Sequence, residues 1–160
     1  MAPEPPGFGL MAPGLQRRPG ALSFLEWEAA EGDGGARVTY LAISIGAVLG
    51  ANARFLLGAW VADHLGAAFP YGTLLINVSG SFLIGIVLTI ATERVIAPAW
   101  FQPALAIGFL GSYTTFSTFS YETLSLVGAG SIAAAGANIA ASVAGALVGV
   151  YLGTVVARLV

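Results

Sequence analysis

The chain has 160 residues, of which 57% are hydrophobic and 9% charged, against about 25% charged in ordinary soluble domains. Six arginines, no lysine and eight acidic residues leave a net charge of −2, which removes a nucleic-acid footprint and a polybasic lipid anchor. Cysteine is absent, and with it disulfides, thiolate metal sites and cysteine nucleophiles.

Residues 1–37 hold Pro3, Pro5, Pro6, Pro13 and Pro19, several glycines, and four acidic side chains between Glu26 and Asp33. That composition predicts a disordered or variable extension, to which no function is assigned. Arg17-Arg18 does not open an export signal, because Glu26 interrupts the apolar stretch after Ala21. From Val38 onward the chain reads as one membrane domain, 38–160. Four apolar segments, 38–62, 71–92, 101–127 and 131–157, each reach the roughly 20 residues that cross a bilayer. Backbone groups in hydrocarbon must be paired within their own segment, so an all-α protein of four transmembrane helices is expected. Breaks fall at Asp63-His64 to Pro70, Glu93-Arg94 to Pro98, and Gly128-Ala129-Gly130. Such short loops make neighbouring helices antiparallel, and a chain of this size draws on a second copy for any complex site. Arg37, Arg94 and Arg158 give little orientation bias; cytoplasmic termini are the default and insertion in both directions is the alternative.

The first span carries Gly46, Gly50 and Gly58, whose spacing predicts a close helix contact. Arg54 falls in the same row and costs about 2.5–3.5 kcal/mol at a helix centre, so it either faces a wet vestibule or snorkels to the interface. His64, beside Asp63, reads as a solvated loop residue. On the second span Thr73, Asn77 and Ser81 form one polar stripe, open to two readings, an interhelical hydrogen bond or a path for water and ions.

The third span contains seven hydroxyl residues in the nine positions from Ser112 to Ser120, which propagate a helix poorly and predict a break. The competing reading is a continuous helix whose hydroxyls bond back to the preceding turn. Unwound backbone at membrane depth is tolerated only where it is buried or lines a cavity, and its carbonyls can bind a cation. Phe116 and Phe119, interleaved with Ser117 and Thr118, offer aromatic edges and hydroxyl donors that suit an anion, although phenylalanines three apart also serve plain packing. Glu122 reads as an interfacial residue or a helix partner. The last span adds Gly145, Gly149 and Gly153 for packing and a second stripe, Asn138 and Ser142.

Three runs, Gly50-Ala51-Asn52-Ala53-Arg54, Pro70 to Phe82 and Gly108 to Glu122, resemble in order the signatures of the fluoride-channel family often called Fluc or CrcB. The resemblance covers 38–157. It implies an antiparallel, dual-topology homodimer in the cell (inner) membrane, passing fluoride passively out of the cytoplasm and giving fluoride resistance. It further implies that Thr73 and Asn77 are pore donors, Phe116 and Phe119 the aromatic pair along the ion path, and Ser117, Thr118 and Ser142 its hydroxyl track. Arg54 and Glu122 resemble the vestibule arginine and the third-helix glutamate. The break from Gly111 to Thr114 resembles the site of a structural sodium ion held by backbone carbonyls. Ser112 departs from a glycine common in the family, the last helix lacks a tyrosine that some members carry on its polar stripe, and the 37-residue extension is not a family feature.

Readings from other classes fare worse. A four-helix proton-coupled drug antiporter wants a carboxylate in the first span, where this chain has Arg54. A structural membrane subunit would use the polar stripes only for helix contact. An enzyme is not expected, since no nucleophile–base pair, metal set or phosphate loop appears.

Overall fold

A computed structural model of the chain describes residues 33–93 and 98–159; residues 1–32, most of the proposed extension, and the loop residue Arg94 lie outside them. The described residues form α1 (Asp33–Leu65), α2 (Tyr71–Glu93), α3 (Phe101–Pro103), a π-helix (Ala104–Leu110), α4 (Gly111–Tyr113), α5 (Phe116–Gly128) and α6 (Ile132–Leu159). Among them there is no strand. Helices α1, α2 and α6 are each long and apolar enough to cross a membrane. The third predicted span is divided: residues 101–113 are continuously helical, Thr114 and Thr115 are not, and α5 supplies the second half. Helix α1 begins at Asp33, five residues before the apolar run at Val38, and its 33 residues rise about 50 Å, more than the roughly 30 Å of hydrocarbon.

Helix ends follow local chemistry. Gly130, at φ 75°, closes α5 with its N–H on Val127 O and the Ser131 N–H on Leu126 O, the double bond of a Schellman ending. Gly66, at φ 77°, ends α1 with its N–H on Ala62 O. Because lipid supplies no hydrophobic drive between helices, close backbone approach holds the bundle. Helix α2 packs most extensively on α6, and α1 on the π-helix. At the first contact a Cβ on Gly153 would strike the Phe82 carbonyl, and one on Gly149 would lie 2.9 Å from Val78 O. At the second, a Cβ on Gly50 would meet the Phe109 carbonyl and one on Gly108 the Ile43 carbonyl at 2.5 Å. The buried cluster is small, Ile76, Leu110 and Tyr113 ringed by Ala53, Leu57, Ile84, Val87 and Phe109. Leu41, Ile45, Leu49, Phe55, Leu56, Leu147 and Tyr151 face outward, as a bilayer solvent demands.

Candidate functional site

The break in the third span organises the polar interior. Thr114 (φ −79°, ψ 157°) and Thr115 (φ −151°, ψ 117°) are extended, and a side chain far away in sequence satisfies the backbone that Thr115 releases. Asn77 on α2 grips Thr115 from both ends: its Nδ2 donates to Thr115 O at 3.0 Å, and its Oδ1 accepts the Thr115 N–H at 2.8 Å. In an unbroken helix that N–H would bond the Gly111 carbonyl, which the break therefore leaves without its helical donor. Gly80, one turn beyond Asn77, makes room; a Cβ there would collide with the Thr114 methyl and lie 3.2 Å from the Tyr113 ring. The Tyr113 hydroxyl pairs with Ser79 Oγ at 2.9 Å, and its ring stacks on Phe109 with centroids 5.8 Å apart.

Thr115 is also the N-cap of α5. Its Oγ1 accepts the Thr118 N–H at 3.2 Å, donates to Thr118 Oγ1 at 3.0 Å, and lies 3.3 Å from Ser117 Oγ. The break thus lies at Thr114–Thr115, later than the Gly111–Thr114 expected from sequence. Gly111 to Tyr113 stay helical because the Thr114 N–H still reaches Leu110 O at 3.0 Å and the Thr114 hydroxyl bonds the same carbonyl at 2.9 Å. Both sequence readings of this run hold in part, since Thr114 and Ser120 bond back one turn, to the Leu110 and Phe116 carbonyls.

Two open cavities share Thr115 in their linings. The larger, about 720 Å³, lies between α1, the 66–70 turn, α2 and α5, and gathers Arg54, Thr73, Thr118 and Glu122. Thr73 Oγ1 donates to Glu122 Oε1 at 3.0 Å, while Glu122 Oε2 is buried without a partner. Arg54 is half-buried and makes no ion pair or side-chain hydrogen bond with a described residue. The second cavity, a groove of about 440 Å³, gathers Asn77, Ser81, Gly111, Thr114, Phe116, Phe119 and Ser142. The Phe116 and Phe119 rings sit 5.5 Å apart at 44°. Ser142, buried, donates a long 3.5 Å bond to Asn138 Oδ1, and Asn138 Nδ2 donates to Thr123 Oγ1 at 2.8 Å, tying α6 to α5.

Of the residues singled out in the sequence, Arg54, Thr73, Thr118 and Glu122 share one cavity, and Asn77, Gly111, Thr114, Phe116, Phe119 and Ser142 share the other. Ser117 is exposed and lines neither. Phe116 is 79% exposed, so one chain leaves its groove open along a side. Thr115 lines both cavities and was missed in the sequence, where it is one hydroxyl among many; the readable signal was a threonine three residues before another at a helix start.

Residues 41–154 match the family described as CrcB-like protein, Camphor Resistance (CrcB). The fluoride-specific ion channel FluC of a Roseiflexus species is 48% identical over 118 residues, 74% of this chain and 95% of the relative. The protein of that name from Geobacter metallireducens is 45% identical over 121 residues, 76% of this chain and 98% of the relative. The one from Geobacter sulfurreducens is 46% identical over 120 residues, 75% and 97% of the two chains. The sequence signatures, the divided third span with the two cavities beside its break, and a match over most of the apolar region agree: this chain is a multi-pass membrane protein of the CrcB family.

Proposed function

We propose that the chain is a fluoride-selective channel that lets the ion leave the cytoplasm passively, working as an antiparallel pair of copies in the cell membrane. The observation that carries this is a pair of cavities beside the break, mainly apolar but each set with hydroxyl or amide groups and both lined by Thr115, in a chain whose relatives are named fluoride-specific ion channels. Fluoride is small and strongly hydrated, so a selective pore must replace its water with donors in a space too narrow for larger anions. Thr118 offers a hydroxyl donor and Asn77 keeps one of its two N–H donors after its bond to Thr115, while Thr73 and Ser142 donate to Glu122 and Asn138 and would turn to the ion only by releasing those bonds. The Phe116 and Phe119 edges carry the positive rim of the ring quadrupole. Helix α5 starts at the break, so its first-turn N–H groups and positive dipole end point into the same region. Arg54 attracts anions to the wider cavity, and Glu122 sets the Thr73 hydroxyl; Ser117 joins the track only where a second copy closes the groove.

A second copy accounts for the open groove and the exposed Phe116. The carbonyls of Gly111 and Thr114 are suited to a structural sodium ion shared between copies, because hard cations favour oxygen ligands and the Gly111 carbonyl has lost its helical donor. Such an ion would supply positive charge that holds the two breaks together, with no part in moving fluoride.

The test is purified protein in liposomes loaded with fluoride or chloride, with efflux followed by an ion-selective electrode. Fluoride-only efflux that needs no proton gradient supports the channel; proton-driven drug uptake, or equal chloride efflux, overturns it. Because the chain has no cysteine, a single one at the exposed Gly128, where a Cβ meets nothing within 4 Å, reports orientation cleanly: labelling from both faces supports dual insertion, and labelling from one face refutes it.

A further inference from the structure

We propose that Thr115 is a positioning residue for conduction, holding the Thr118 hydroxyl so that its proton is offered to the ion; the proposal rests on the fluoride-channel reading. Every polar atom of Thr115 is committed. Its N–H and C=O are held by the Asn77 carboxamide at 2.8 and 3.0 Å, and its Oγ1 accepts the Thr118 N–H at 3.2 Å. The one proton of that hydroxyl goes to Thr118 Oγ1 at 3.0 Å. A hydroxyl has one donor and two acceptor positions, so a Thr118 that receives Thr115's proton keeps its own for another acceptor. Thr118 is exposed and lines the 720 Å³ cavity together with Arg54, so the proton left over has a cavity to point into. Donor chains of this kind polarise one another, and the outer O–H becomes a better donor to an anion than an isolated threonine would be. Thr115 itself is 9% exposed and has no proton left to give, which makes it the support and Thr118 the contact.

Valine keeps the branched shape of threonine and its tolerance for extended backbone, so Thr115→Val removes the hydroxyl with little change in volume. Fluoride efflux from liposomes should fall about tenfold, the scale of one weakened hydrogen bond to a charged group. Thr115→Ser, which keeps the donor, should recover most of the loss. Two threonines acting in series lose their effect together. Thr118→Val should therefore show a similar fall, and the Thr115→Val/Thr118→Val double variant should fall no further than the worse single. Losses that multiply in the double variant, or a Thr115→Val protein that conducts like the parent, overturn the proposal. If Thr115→Val does not elute as a monodisperse protein, the comparison moves to Thr115→Ala with and without Thr118→Val, judged by the same rule. A parent protein without fluoride efflux fails at an earlier step and refutes the channel reading itself, and the proposal with it.

Discussion

Asn77→Asp tests the clamp on the helix break. The substitution changes one group: Oδ1 still accepts the Thr115 N–H at 2.8 Å, but the Nδ2 that donates to Thr115 O at 3.0 Å becomes an oxygen facing another oxygen. Thr115 is 9% exposed, so water cannot replace the lost donor, and an unsatisfied buried carbonyl costs about 1–3 kcal/mol. A carboxylate at membrane depth adds about 2.5–3.5 kcal/mol. Together these reach about 3.5–6.5 kcal/mol, comparable with the lower end of a typical stability margin of about 5–15 kcal/mol. The same charge stands in the groove proposed for an anion. Efflux should therefore be nearly abolished, and the unfolding midpoint in detergent should drop by about 10 °C or more. A variant that conducts and melts like the parent would show that both bonds to Thr115 are dispensable, and the account of the break would fall.

Phe116→Ile and Phe119→Ile remove ring edges while keeping apolar bulk; each should lower fluoride efflux without altering the elution profile of the purified protein. Gly153→Ala drives a methyl into the Phe82 carbonyl and should destabilise the α2–α6 contact by about 1–3 kcal/mol, whereas Gly136→Ala meets nothing within 4 Å and should be neutral or stabilising in the same melting assay. Arg158→Ala breaks the 2.9 Å ion pair with Glu93 that links the ends of α6 and α2. Both partners are largely exposed, so melting should change by less than about 1 kcal/mol and efflux should not change.

The spans were legible because hydrocarbon imposes a length on any sequence that crosses it. The second and fourth segments, read as 71–92 and 131–157, differ from α2 and α6 only at their ends. A break in the third was legible from its crowded hydroxyls, but its position was not. That position depends on Asn77, 38 residues away, and on space left by Gly80, neither of which a local pattern reports. Thr73 presented the same difficulty: its stripe fitted either a helix contact or an ion path, and it turns out to bond Glu122 while also lining a cavity. The family resemblance set Ser117 beside Thr118 on the hydroxyl track, but neighbouring helical residues point about 100° apart, and within one copy only Thr118 reaches the wider cavity. The π-helix left no mark that periodicity could detect.

That widened stretch, Ala104–Leu110, has a consequence for how the gene can vary. A π-turn holds one residue more than an α-turn, so deleting a single codon within it would restore ordinary spacing without opening the rod. The downstream portion would then keep its angular phase, because the wide turn is what absorbs the surplus residue, and Gly111 and Thr114 would still face the groove they line. Loss of one codon there should therefore give a stable protein that still passes ions, whereas the same loss in α2 or α6 would turn the rest of the helix by about 100° and shear apart their glycine seams.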